Sequence, residues 1–169
     1  VLASGDRTIL RSFGRPEQGA MRLPLLLGGG VFLLLLGGYT LLSPWLDLSA
    51  ISGNLQAKEG FTAATFPLAA LYITFGNSLL EELFFRGFAF LALYRSGYKK
   101  LAWTFSAIAF ALYHVSIMDG WFHPALLVLL TSGLACAGLL FNALDAKSQT
   151  IWPGWLVHMG ANLAINTIA

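Results

Sequence analysis

The stretch Asn77-Ser-Leu-Leu-Glu81-Glu82-Leu-Phe-Phe-Arg86-Gly87 places two acids and one base in a segment that is otherwise apolar from 61 to 94. A run of this length can cross a bilayer, for which about 20 apolar residues of helix are needed. Each charge at the centre of a membrane helix costs about 2.5 to 3.5 kcal/mol, so such groups persist when they are paired and face the bundle interior or a wet cavity. The stretch therefore predicts a membrane-embedded polar site.

The composition of the whole chain supports a membrane location. Of its 169 residues, 57% are hydrophobic and 11% are charged, whereas a soluble domain has roughly 25% charged residues. A water-soluble enzyme and a disordered tail are therefore excluded. The net charge of +2 is too small to indicate a nucleic-acid partner. We expect a multi-pass integral membrane protein whose surroundings are the lipid bilayer.

Long stretches without charge, or interrupted only by the charged stretch above, predict the fold class. Within lipid only helices and closed barrels satisfy every backbone group, and no alternating strand pattern is present. We therefore predict an all-α, polytopic transmembrane helical bundle of about five spans. A polar arm, 1–22, precedes a single transmembrane domain, 23–169. The predicted spans are 23–46, 61–94, 101–118, 122–144 and 151–169.

The basic residues predict the orientation. If the arm is cytoplasmic, eight Lys or Arg side chains lie on the inner side and one, Lys58, on the outer side, as the positive-inside rule requires. The segments 95–100 and 145–150 are then inner loops, and the N-terminus is cytoplasmic. The first span is longer than the core of a secretory signal, which argues against one. The chain begins at Val1, which is compatible with a trimmed product.

The spacing of the charged residues predicts that the two glutamates have different roles. Glu82 and Arg86 lie at i and i+4 on a helix and can pair, while Glu81 is turned about 100° away. The arginine can therefore neutralise one acid and leave the other free for chemistry. The alternative is a purely structural buried salt bridge, for which one acid would suffice.

Two further pairs of residues have helical spacing. Phe110 and His114 lie at i and i+4 in the third span, and His158 and Asn162 do so in the fifth. At about 1.5 Å per residue, Glu81 and His114 lie at the same depth, roughly 20 Å from the inner loops. His158 and Asn162 come out somewhat closer to the inner loops. We therefore expect one membrane-embedded pocket that holds carboxylates, imidazoles and an amide.

These residues resemble the three motifs of the CAAX protease and bacteriocin-processing (CPBP, or Abi) family of intramembrane peptidases. The resemblance covers 61–169. It implies a glutamate-dependent endopeptidase that hydrolyses a membrane-associated or lipidated peptide or membrane-protein substrate with an activated water. Members commonly have more helices, so this is a short member or part of the chain is absent. The implied catalytic set is Glu81, Glu82 and Arg86 of Glu-Glu-x-x-x-Arg, His114 of Phe-x-x-x-His, and His158 and Asn162 of His-x-x-x-Asn.

The resemblance also implies roles for these residues. Glu81 and His114 would activate the water, and His158 and Asn162 would stabilise the oxyanion. We expect no cofactor, although His114, His158 and Glu81 would be the ligands if zinc were used; no His-Glu-x-x-His helix is present. A second reading is a non-catalytic immunity or assembly subunit of a membrane complex. A small transporter subunit explains intramembrane charges but not the spacing of the motifs.

Overall fold

The structure is a computed structural model that describes residues 9–45, 62, 64–118 and 123–168. Within this part of the chain the regular elements are all helical, so the predicted all-α bundle is confirmed. The five long helices are α1 (Arg22–Leu42), α2 (Phe66–Arg95), α3 (Lys99–Met118), α4 (Pro124–Ser148) and α5 (Trp152–Ile168).

Helices α1 to α4 are, in the described part of the chain, the four that are long and apolar enough to cross a membrane. Helix α5 has 17 residues, the lower limit for a spanning helix, and at 1.5 Å per residue it is about 26 Å long. The protein is therefore an integral membrane protein. The predicted outer segment 47–60, with Lys58, lies outside the described residues, and so do residues 119–122 of the predicted outer segment 119–123.

Helix α2 changes its winding around the charged stretch. The segments Tyr72–Asn77 and Leu83–Ala92 are π-helical and flank the α-helical segment Ser78–Glu82. A π-helix is wider than an α-helix and is frequently found at functional sites. The winding places Glu81 and Glu82 on the described bundle's inner side, where both side chains are buried.

Small residues allow the helices to approach closely. Helix α1 packs mainly on α5, and a Cβ atom added to Gly160 of α5 would overlap with the carbonyl oxygen of Gly28 in α1. Helix α3 packs mainly on α4, where a Cβ atom on Gly138 would lie 3.1 Å from the Cα atom of Ala107. These contacts follow the use of glycine at helix crossings in membranes and bring α3 and α5 against α2.

The predicted inner loop 145–150 is partly wrong. Helix α4 continues to Ser148, and Gln149 ends it in a left-handed conformation with a φ of 57°. Asp145 therefore lies in the last turns of α4, and its side chain is fully buried. The charge of Asp145 predicts a loop, but the chain turns back into α5, and Gly154 N–H of that helix donates a hydrogen bond to the Asp145 side chain.

The described part of the N-terminal arm is attached to the bundle. A 3₁₀ turn, Leu10–Phe13, buries Ser12, whose carbonyl accepts a 3.0 Å hydrogen bond from Ile151 N–H. The indole Nε1–H of Trp152 donates to the Gly14 carbonyl at 3.0 Å. The arm therefore contacts the start of α5, the helix that carries His158 and Asn162.

Candidate active site

Glu81 has one bound and one unbound carboxylate oxygen. Its Oε1 accepts a 2.5 Å hydrogen bond from Nδ2 of Asn77, one helical turn earlier. Its Oε2 is buried and has no hydrogen-bond partner among the described residues. The Nε2 atoms of His114 and His158 lie 3.8 and 3.7 Å from this oxygen. The expected common depth of Glu81 and His114 is thereby confirmed.

Glu82 and Arg86 form the ion pair that the spacing predicted. Arg86 Nη1 lies 3.2 Å from Glu82 Oε1, and both side chains are fully buried. The guanidinium nitrogens have no partner of hydrogen-bond geometry in the described part of the chain. Instead, the guanidinium carbon lies 4.0 Å from the centre of the Phe110 ring and 4.8 Å from that of Phe141. Cation–π attraction stabilises a desolvated cation in such a position.

His114 is oriented by the residue one turn before it. Its Nδ1 lies 2.9 Å from the carbonyl oxygen of Phe110, and because a carbonyl only accepts, Nδ1 must carry the proton and donate. In the neutral ring the Nε2 facing Glu81 then holds a lone pair. The side chain of His114 is 20% exposed, whereas that of His158 is 6% exposed.

His158 connects the two acids. Its Nδ1 lies 2.8 Å from Glu82 Oε1, and its Nε2 faces Glu81. The ring stacks on Phe141, with 5.6 Å between ring centres and 22° between the planes. Because a carboxylate only accepts, Nδ1 donates to Glu82, and the ring is held by both contacts.

Asn162 lies on the same side of α5 as His158, and its Nδ2 donates to the Ile73 carbonyl at 3.2 Å. The other amide hydrogen of this group remains available for a ligand. Asn166, one turn later, donates to Thr74 Oγ1 at 3.0 Å. Asn166 lies outside the three motifs, although its spacing of four from Asn162 continues the polar side of α5.

Asp145 is a further acid that the motifs did not identify. Its Oδ1 accepts a 2.8 Å hydrogen bond from Gly154 N–H, while its Oδ2 is buried without a partner among the described residues. A Cβ atom added to Gly154 would lie 2.9 Å from Asp145 Oδ2 and 3.0 Å from Glu82 Oε2. These two unpartnered oxygens therefore flank the same point.

The residues do not fit a zinc centre. In the described ranges, no group of three or more His, Cys, Asp or Glu side chains is arranged to hold a metal ion. One of the suggested ligands, His158, also shares Glu82 Oε1 with the buried guanidinium of Arg86, whose charge opposes a second cation at short range. We therefore derive no catalytic step through a metal.

Comparison with known proteins agrees with the motifs. A family model described as "Type II CAAX prenyl endopeptidase Rce1-like" matches residues 63–164, the part of the chain that contains all three motifs. No curated protein and no solved structure matches the chain. The match covers more than half of the sequence, confirms the resemblance to the CAAX protease group and spans the buried carboxylates of α2. The chain therefore belongs to the Rce1-like family of type II CAAX prenyl endopeptidases.

Proposed function

We propose that this protein is an intramembrane endopeptidase in which Glu81 is the general base for an attacking water. The observation that carries the proposal is the unpartnered Glu81 Oε2, with His114 Nε2 at 3.8 Å. That distance is too long for a direct hydrogen bond but suits one water that donates a hydrogen to each atom. The water oxygen then keeps a lone pair for attack on a peptide carbonyl, while Glu81 takes the proton.

Two neighbours prepare Glu81 for this role. Asn77 holds Oε1, so the carboxylate cannot rotate freely and Oε2 stays directed at the imidazoles. Phe110 holds the proton of His114 on Nδ1, so Nε2 is an acceptor in the neutral ring. Positioning of this kind lowers the entropic cost of bringing the water to the substrate.

His158 and Asn162 are the proposed oxyanion donors. When Glu82 binds Nδ1–H, a doubly protonated His158 presents Nε2–H toward the reaction site, and Asn162 has its second amide hydrogen. A donor of this kind contributes about 2.7 to 4 kcal/mol to lowering the barrier. Collapse of the tetrahedral intermediate breaks the C–N bond, and the proton held by Glu81 moves to the leaving amine.

The family description makes a prenylated peptide with a C-terminal Cys-aliphatic-aliphatic-X sequence the first candidate substrate. The prenyl chain of such a peptide favours the bilayer, and the proposed base is buried among helices long and apolar enough to cross that bilayer. We propose no cofactor. We also propose a cytoplasmic N-terminus, because the described arm, the start of α1 and the start of α3 carry basic residues, among them Arg11, Arg15, Arg22, Lys99 and Lys100.

The test is cleavage of a farnesylated peptide by the detergent-solubilised protein. We expect Glu81→Gln to lose about a hundredfold or more in turnover at unchanged melting temperature. Glu17→Gln, which removes an exposed acid of the arm, is the matched control and should retain activity. If the wild type binds the peptide but cleaves neither its prenylated nor its unprenylated form, the peptidase proposal is wrong and the non-catalytic subunit is favoured.

Chelation tests the metal-free mechanism separately. We expect EDTA and 1,10-phenanthroline to leave the rate unchanged and the purified protein to hold no stoichiometric zinc. Activity that disappears with the chelator and returns with added zinc would overturn the metal-free mechanism and make His114, His158 and Glu81 the ligand set.

A further inference from the structure

We propose that Asp145 is a positioning residue that remains protonated and donates a hydrogen bond from Oδ2 to Glu82 Oε2. Its effect on catalysis rests on the peptidase function proposed above, whereas its protonation does not. Asp145 lies outside the three motifs, in the last turns of α4.

The first argument is that one proton satisfies both unpartnered oxygens. Asp145 Oδ2 and Glu82 Oε2 are buried without partners among the described residues, and both lie within 3.0 Å of the position that a Cβ atom on Gly154 would occupy. Two carboxylates have only acceptor oxygens, so neither can bind the other unless one carries a proton. Protonation of Asp145 gives Oδ2 a hydrogen to donate and Glu82 Oε2 a hydrogen to accept.

The second argument is the charge of the site. Glu81, Glu82 and Asp145 would bring three negative charges when ionised, against the single permanent positive charge of Arg86. Uncompensated buried charge is strongly unfavourable, and two carboxyl groups that share one site do not both ionise. One of the three acids must therefore be neutral unless both nearby histidines are charged.

The surroundings indicate which acid holds the proton. Glu82 Oε1 has Arg86 Nη1 at 3.2 Å and His158 Nδ1 at 2.8 Å, and both neighbours favour an ionised carboxylate. Asp145 has one neutral donor, Gly154 N–H, on Oδ1. The oxygen that flanks the same point as its free Oδ2 belongs to another acid, Glu82, and a neighbouring carboxylate opposes a second negative charge. Of these two acids, Asp145 is therefore the one that holds the proton.

The proposed proton also affects His158. An ionised Glu82 accepts from His158 Nδ1 and favours the doubly protonated imidazole, whose Nε2–H then points toward Glu81. With Asp145 neutral, Glu81 and Glu82 balance Arg86 and His158, and the buried site has no net charge. Asp145 would thus support the oxyanion donor without contacting substrate.

The test compares a variant that mimics the protonated acid with one that cannot donate. In Asp145→Asn the amide can donate to Glu82 and accept from Gly154, so we expect turnover within a few-fold of the wild type. In Asp145→Leu we expect kcat to fall by about tenfold to a hundredfold, as for the loss of a hydrogen bond to a charged group, with KM little changed. If Asp145→Asn loses as much turnover as Asp145→Leu, the carboxylate charge is needed and the proposal is wrong.

Gly154→Ala tests the same contact if Asp145→Leu fails to fold. The added Cβ atom must displace the flexible ends of Asp145 and Glu82, so we expect a folded protein with a similarly reduced kcat. Wild-type kcat in a folded Gly154→Ala protein would contradict the proposal.

Infrared spectroscopy tests the protonation without relying on activity. At neutral pH the wild type should show the carbonyl stretching band of a protonated carboxylic acid. The band should vanish in Asp145→Asn and remain in the control Glu17→Gln. Its absence from the wild type, or its persistence in Asp145→Asn, would refute the proposal. An inactive wild type that shows the expected band would instead refute only the peptidase function.

Discussion

Replacement of Arg86 by Leu should strongly destabilise the fold, because it leaves the carboxylate of Glu82 buried without its cation. Both side chains of the pair are 0% exposed, with 3.2 Å between Nη1 and Oε1. Removing one partner of such a pair typically costs about 3 to 5 kcal/mol. The guanidinium also lies 4.0 Å from the centre of the Phe110 ring, and a desolvated cation–π contact contributes about 2 kcal/mol. We therefore expect Arg86→Leu to lower the free energy of unfolding by about 5 kcal/mol, the upper end of the range for a broken buried ion pair.

The assay is the free energy of unfolding from denaturant titration in mixed micelles. It is measured for Arg86→Leu, for Glu82→Gln and for the double variant. In Glu82→Gln/Arg86→Leu no charge remains unpaired, so the double variant should recover much of the stability lost in Arg86→Leu. Arg15→Leu removes an exposed arginine of the arm and should change stability by less than about 0.5 kcal/mol.

Two results would refute this reasoning. One is an Arg86→Leu protein that loses less than about 1 kcal/mol, a cost ordinary for a point mutation, which would mean that the pair is replaced by water or protonation. The other is a Glu81→Gln protein that unfolds more readily than Arg86→Leu. In that case Glu81 would be the structural acid and the assignment of the two glutamates would be inverted.

Three further predictions follow from the contacts of the site and of the helix crossings. Asn77→Ala removes a hydrogen bond to Glu81 that is worth about 1.5 to 3 kcal/mol of stability for a charged acceptor. Because the carboxylate is then free to rotate, kcat of the folded protein should also fall at least about tenfold; an unchanged kcat would contradict the positioning role. Asn162→Ala should slow turnover by about a hundredfold to a thousandfold with little change in peptide affinity; a weaker affinity at constant kcat would make this amide a binding group. Gly160→Ala should cost about 1 to 3 kcal/mol through overpacking, whereas Gly29→Ala, where an added Cβ meets nothing within 4 Å, should not destabilise; equal losses in the two variants would contradict the tight crossing of α1 and α5.

The sequence was sufficient to predict the bundle and the central contacts of the site, because both depend on short-range rules. Apolar run length predicted the helices to within a few residues, with the largest differences at the end of α1, the start of α2 and the end of α4. Spacing of four predicted the Glu82–Arg86 pair, and counting residues along two spans predicted the approach of Glu81 and His114. The same spacing would also have predicted the contact from Asn77 to Glu81, since Asn77 stands within the decisive stretch. Their catalytic roles remain proposals, because spacing and distance define what a group can reach and not which proton it moves.

Asp145 could not be assigned in this way, because its burial depends on tertiary structure. An acid near the predicted end of a span is ordinarily a surface residue, and only the return of α5 directs Gly154 N–H at its side chain. When Glu81 and Glu82 are ionised, their two negative charges exceed the single positive charge of Arg86 by one. A doubly protonated His158 balances this excess, whereas an ionised Asp145 would add a further negative charge. The motif-based mechanism, with His158 as a charged donor, therefore requires Asp145 to be neutral, so the infrared test of Asp145 also tests the electrostatic basis of the proposed oxyanion site.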